Sequence, residues 1–229
     1  MLIKTITVGA YETNCYVVAD EKTLECAVID PGADAAAILD YLEETHLRCR
    51  FVLLTHGHFD HTGAVSDILA ETDAKLLLHK ADVGVTVGGD YYRFVPPEGA
   101  AYYAEGDSVC LGALSFTVIE TPGHTPGSVT LLCAEAGSED KVLFTGDTLF
   151  RDSCGRTDFP DSSTEDILRS LKRLAELPGD YEVLPGHGFS STLERERAVN
   201  YFMRAAVKGG VVGRPPPPAM PSAFPGRRS

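Results

Sequence analysis

Seven residues, Thr55 to His61, read Thr-His-Gly-His-Phe-Asp-His and place three imidazoles and one carboxylate within six consecutive positions. Imidazole and carboxylate together suit zinc, iron or manganese. The stretch follows the apolar run Phe51-Val52-Leu53-Leu54, which is short and strand-like and reads as one buried strand. Side chains alternate along extended chain, so His56 and His58 face the same way. Gly57 between them permits a tight bend. Asp60 and His61 fall where the chain turns into a helix beginning near Thr62. This is unlike the helical motif that spaces two histidines at i and i+4. Packing gives no reason to gather four polar groups at the mouth of a buried strand, because unpaired burial is costly.

Three further polar residues stand in the same kind of place. His124 lies in Thr-Pro-Gly-His-Thr-Pro-Gly after an apolar run at 114–120. Asp147 lies in Thr-Gly-Asp-Thr after 141–146, and His187 lies in Pro-Gly-His-Gly after 181–184. Glycine beside each donor allows close backbone approach to an ion. The donor set is then His56, His58, Asp60, His61, His124, Asp147 and His187. Seven donors exceed what one four-coordinate ion takes. They suit two divalent ions about 3.5–4 Å apart, bridged by a carboxylate and a hydroxide. Zinc is the first expectation, with iron or manganese open. Such a pair lowers the pKa of bound water towards ~7 and polarises a carbonyl. The chemistry is hydrolysis of an activated acyl or phosphoryl bond, with no serine or cysteine nucleophile. His46 and His79 lack the strand-end setting and read as structural or surface residues.

The elements that must position these donors follow from periodicity. Strands are predicted at 2–8, 13–20, 24–30, 51–54, 75–78, 109–111, 114–120, 128–134, 141–146 and 181–184. Helices are predicted at 34–46, 63–71, 164–176 (capped by Thr164) and 192–207, with a short one near 80–86. The stretch 79–108 is hardest to read, and its loop 88–106 is either a wall of the site or a variable surface loop. Strands followed by helices, twice over, fit two sheets packed face to face with helices on both outer sides. Residues 1–208 form one domain. Residues 209–229 are predicted to be an extended or disordered tail, because 214–229 hold six of the fourteen prolines together with Arg214, Arg227 and Arg228.

Composition narrows the function classes. The 229 residues carry a net charge of −13, which argues against nucleic acid as a partner. Six cysteines at positions 15, 26, 49, 110, 133 and 154 form no C-x-x-C pair and read as reduced, buried thiols of a cytoplasmic protein. The N-terminus lacks a signal-peptide layout, and no apolar run approaches the ~20 residues of a membrane helix.

The T-H-G-H-F-D-H stretch, with His124, Asp147 and His187 in that order, resembles the metallo-β-lactamase-fold superfamily over roughly residues 2–206. Within it the chain looks most like the glyoxalase II (hydroxyacylglutathione hydrolase) group, on Thr13-Asn14-Cys15-Tyr16, Gly146-Asp147-Thr148-Leu149-Phe150 and Pro185-Gly186-His187-Gly188. The resemblance implies an α+β four-layer αββα sandwich with the site at one edge. It implies that His56, His58 and His124 hold one ion and Asp60, His61 and His187 the other, with Asp147 bridging. Asp30 resembles the family's carboxylate behind the metal loop. Long members carry a C-terminal helical domain that binds glutathione carboxylates, whereas only 42 residues follow His187 here. Cys154-Gly155-Arg156-Thr157-Asp158-Phe159-Pro160 resembles the short, single-domain bacterial members. Arg156 is therefore the candidate for a substrate carboxylate, with an ion pair to Asp158 or Asp152 as its other reading.

The resemblance implies a thioesterase that cleaves S-2-hydroxyacyl thiols such as S-lactoylglutathione, with Asp60 and Asp147 fixing the attacking water. The alternative is a persulfide dioxygenase, which shares the fold and a G-R-T-D-F run but uses one iron and oxygen. A non-hydrolytic metal-stapled domain, a nuclease and a β-lactamase are weaker readings.

Overall fold

The computed structural model describes residues 1–88 and 93–209, and the structural statements below concern those residues. The first half of the chain runs β1 (Leu2–Val8), β2 (Thr13–Asp20), β3 (Glu25–Ile29), α1 (Ala35–Glu44), β4 (Arg48–Leu53), α2 (Phe59–Thr62), α3 (Val65–Glu71), β5 (Lys75–His79) and, after a 3-10 turn at Lys80–Asp82, β6 (Ala101–Tyr103). These six strands make one sheet in sequence order, antiparallel from β1 to β3 and parallel from β3 to β6. The second half runs β7 (Ser108–Leu111), β8 (Leu114–Glu120), β9 (Val129–Glu135), β10 (Lys141–Gly146), β11 (Leu149–Phe150), β12 (Ser153–Cys154), α4 (Thr164–Ala175), β13 (Glu182–Pro185), β14 (Ser191–Thr192), α5 (Leu193–Val199) and α6 (Tyr201–Val207). Its main sheet has the order β14-β13-β10-β9-β8-β7, and β11 and β12 form a small hairpin of their own.

Strand β2 shows how the layers arise, since all eight of its residues are buried. Tyr16 and Val18 point into the core between the sheets, with Ile29, Leu53, Phe116, Leu131 and Phe144. Cys15, Val17 and Ala19 point the other way, into a core closed by Ile38 and Leu42 of α1 and Val65 and Ile68 of α3. Period-two alternation thus feeds two separate cores, which requires cover on both faces. On the far side, Leu171 and Leu174 of α4 and Met203 of α6 cover Leu143 and Val183 of the second sheet. The result is the expected αββα sandwich.

Several local expectations are corrected. The helix after the histidine loop is two pieces, so Asp60 and His61 sit on the single turn α2 rather than ahead of a helix. The helix expected at 192–207 breaks at Asn200, whose side chain accepts hydrogen bonds from the amides of Phe202 and Met203 and starts α6 afresh. Ser163, not Thr164, caps α4, taking the Asp166 amide. Only a 3-10 turn occupies the 80–86 region. Strands β6, β11, β12 and β14 have two or three residues each, too short to show a period. All six cysteines are free, but Cys110 is exposed and Cys154 half-buried, so only four match the buried reading. Part of the 88–106 loop and the tail from residue 210 lie outside the described residues. No helix among the described residues is long and apolar enough to cross a membrane.

Candidate metal centre

The seven donors lie just beyond the ends of four strands at one edge of the sandwich. His56 and His58 follow β4, His124 follows β8, Asp147 follows β10 and His187 follows β13. Asp60 and His61 are carried by α2. Donor atoms of His56, His58 and His124 lie within 4.8 Å of one another, and so do those of Asp60, His61 and His187. Asp147 stands between the two sets. Its Oδ2 is 3.4 Å from His124 Nε2 and 3.6 Å from His187 Nε2, and its Oδ1 is 3.5 Å from His61 Nε2. Asp60 Oδ2 is 3.3 Å from His187 Nε2 and 3.8 Å from His61 Nε2.

Behind this ring the other imidazole nitrogens are fixed. His61 Nδ1 meets Asp30 Oδ2 at 3.0 Å, His124 Nδ1 donates to the Arg156 carbonyl at 2.9 Å, and His187 Nδ1 donates to the Tyr11 carbonyl at 3.0 Å. His56 Nδ1 meets Thr55 Oγ1 at 3.2 Å, and that hydroxyl in turn donates to Asp30 Oδ2 at 2.6 Å. Each contact turns the opposite nitrogen of its ring towards the centre, the usual way a histidine ligand is oriented. Asp30 also accepts the Thr55 amide at 2.7 Å and holds a left-handed backbone at φ 52°, uncommon for a non-glycine residue.

The residues fit a pair of cations. His56 Nε2 and Asp147 Oδ1 are buried without a hydrogen-bond partner among the described residues, and such orphaned atoms are rare in folded proteins. Burial and the surrounding imidazoles hold His56 well below its ordinary pKa and His58 at about 3, so both offer lone pairs at neutral pH. Burial pushes the other set in the opposite direction to its charges, and the charges win. Asp147 and Asp30 raise His61 to about 9, while a hydrogen bond from His187 and the charge of His61 lower Asp60 to about 2. Positive charge is favoured where Asp60, Asp147 and His61 meet, as a divalent ion requires.

Arg156 does not reach into this ring. Its guanidinium forms a two-pronged pair with Asp158, both contacts at 2.9 Å, and lies 4.6 Å over the Phe159 ring. Phe159 packs edge-on against His58 and His124, at 5.3 and 5.7 Å. Its role in walling the first set was not legible from sequence. Nor was that of Asp82, a fully buried carboxylate directly behind the histidine loop. The one available signal was an aspartate three residues past His79 at the end of a strand, inside the stretch that resisted reading. His46 is exposed, and His79 pairs with Glu120 at 3.2 Å, as expected of residues outside the centre.

A four-layer sandwich with a strand-end His/Asp centre is the architecture of a metallo-hydrolase. The sequence pattern of the metallo-beta-lactamase superfamily matches residues 8–187, and the chain belongs to that family. It is 32% identical to a hydroxyacylglutathione hydrolase of Haemophilus influenzae, covering 90% of this chain and 99% of that one. Among solved structures it resembles the B3 metallo-beta-lactamase BLEG-1 (TM-score 0.77, 32% identity, 88% of this chain and 99% of that one). It resembles TTHA1623 in a di-iron-bound form (TM-score 0.74, 34% identity, 87% and 99%) and ETHE1 from Myxococcus xanthus (TM-score 0.72, 25% identity, 93% and 92%). Fold and donor clusters together imply divalent metal ions.

Proposed function

We propose that the chain is a binuclear thioester hydrolase acting on S-2-hydroxyacyl thiols, with His56, His58 and His124 holding one ion, Asp60, His61 and His187 the other, and Asp147 bridging. The observation that carries this reading is Asp147, whose two oxygens lie 3.4–3.6 Å from donors of both sets. Two divalent ions there would acidify a shared water and polarise the thioester carbonyl. Asp60, ionised down to about pH 2, would accept a hydrogen bond from that water and aim it. Asp147 would do the same from the other side, its Oδ1 being buried without a hydrogen-bond partner among the described residues. The leaving thiol has a pKa near ~8.5, so departure as thiolate needs little proton assistance. The similarity to the Haemophilus influenzae hydrolase supports this substrate class.

The thiol portion of the substrate is assigned to a cleft of about 390 Å³ beside His187, bordered by Phe150, Arg151 and Phe189. Asp152 gives both its oxygens to Arg195 at 2.9 Å, which leaves Arg151 with only a 3.9 Å contact to that carboxylate. Arg151, rather than Arg156, whose guanidinium is closed on Asp158, is the cation available to a substrate carboxylate. A second reading, an iron-dependent persulfide dioxygenase, rests on the likeness to ETHE1 and on the Gly155-Arg156-Thr157-Asp158-Phe159 run. The test is a panel of S-lactoylglutathione, neutral thioesters, glutathione persulfide and a β-lactam, with metal content measured on the same sample. Thioester cleavage without oxygen supports the proposal. Oxygen uptake on persulfide with one iron per chain refutes it.

A further inference from the structure

The first donor set is assembled from both sheets. His56 and His58 follow β4 of one sheet and His124 follows β8 of the other, so nothing local in sequence sets the distance between the two loops. Asp82 spans that gap. It is 0% exposed and comes from a third segment, the 3-10 turn after β5. Its Oδ2 accepts the amide of Gly57, the residue between His56 and His58, at 2.7 Å. The same oxygen accepts the hydroxyl of Thr125, the residue after His124, at 2.7 Å. Its Oδ1 accepts the amide of Gly127 at 2.5 Å. One planar carboxylate therefore ties both loops through three donors, and it has no ion-pair partner among the described residues to account for its burial otherwise.

The second set is held by other means. Asp30 orients His61, the Tyr11 carbonyl orients His187, and Asn14 binds the carbonyls of Pro185 and Gly188 at 3.1 and 2.9 Å. Asp82 bonds to none of these groups. On the basis of the binuclear reading, we infer that Asp82 is a positioning residue for the His56/His58/His124 half of the centre and sets that half's metal affinity independently of the other half. Groups that hydrogen-bond behind metal ligands typically change affinity by ~10–100-fold when lost. Asp82→Asn keeps the shape but turns an NH2 group towards a backbone donor, so at least one of the three ties, to Gly57 or to Gly127, is lost.

The test measures zinc dissociation constants of the full chain by chelator competition, in wild type and Asp82→Asn, each also combined with His58→Ala or His187→Ala. With His187→Ala, which leaves the first half in use, Asp82→Asn should weaken the remaining ion at least tenfold. With His58→Ala, which leaves the second half, it should change affinity less than twofold. The visible spectrum of the cobalt-loaded protein should change in the first case only. Equal weakening in both backgrounds, or in neither, overturns the inference. Should Asp82→Asn fail to fold, Thr125→Val removes a single tie and should shift the first half in the same direction; no shift overturns the inference. A wild type that takes up two ions with an indifferent Asp82→Asn refutes this inference alone. A wild type that binds no ion at His56, His58 and His124 refutes the binuclear reading itself, and this inference with it.

Discussion

Replacing Gly186 with alanine should disable the centre while leaving the fold intact. A Cβ at this position would lie 2.3 Å from Asp147 Oδ1 and 2.7 Å from His61 Cε1, where ordinary contact begins at 3.4 Å. Backbone movement cannot absorb the excess easily. The Gly186 amide donates to the Gly146 carbonyl at 2.8 Å, and the Gly186 carbonyl accepts the Asn14 amide at 2.8 Å. Gly186 is not among the positive-φ residues, so alanine is conformationally acceptable there. The methyl group must therefore displace side chains, moving the Asp147 carboxylate by about 1 Å. Misplacement of that size at a reacting centre costs ~10²-fold in rate. Steady-state kinetics should show kcat down by about that factor, and metal analysis should show weaker retention of at least one ion. Circular dichroism should show a cooperative melt close to wild type. Wild-type turnover with both ions retained would refute the placement of Asp147 between the two sets.

Removing Asp30 as alanine deprives the Thr55 amide, the Thr55 hydroxyl and His61 Nδ1 of their acceptor at once. It should lower the unfolding free energy by roughly 2–4 kcal/mol in urea titrations of the metal-free protein, since each buried donor left unpaired is costly. Arg151→Ala should raise KM about tenfold for S-lactoylglutathione, the loss of one charge-assisted contact, and leave a neutral thioester unaffected. Arg156→Ala should do less, because its guanidinium is already closed on Asp158. The two halves should also differ in pH response. His61, raised to about 9, carries a proton in the metal-free protein at neutral pH that an ion must displace, whereas His58, lowered to about 3, carries none. Apparent affinity at the half formed by Asp60, His61 and His187, where both imidazoles are raised, should therefore climb at least tenfold per pH unit from pH 7 towards pH 9, more steeply than at the half that holds His56 and His58. Calorimetry in two buffers of different ionisation heat counts the protons released, and equal release from both halves would contradict this assignment.

The parts of this molecule legible in its sequence are those with a period or a dense local motif. Residues 13–20 announced a strand through their run of apolar and β-branched residues, and the donors at 56–61 are too crowded to read otherwise. His124, Asp147 and His187 were legible because each follows an apolar run and sits beside glycine. The hairpin at Leu149–Cys154 and the strand at Ala101–Tyr103 carry too few residues to show alternation. The break at Asn200 was hidden because the apolar spacing continues through it, and only the cap geometry stops the helix. Asp82 and Phe159 act across long sequence separations, so their partners on the histidine loops cannot be seen without the fold. Arg156 shows the limit of motif reading. Its local neighbour Asp158 and the ring of Phe159 hold its guanidinium, leaving its carbonyl, not its charge, in contact with the centre.

The most direct test of the central claim is an anaerobic titration of the metal-free protein with zinc from zero to two equivalents, following S-lactoylglutathione cleavage at each step. If seven donors hold two ions around one water, the rate should stay low through the first equivalent, rise with the second and be indifferent to oxygen. Full activity at one equivalent, or no cleavage until iron and oxygen are supplied, would contradict it.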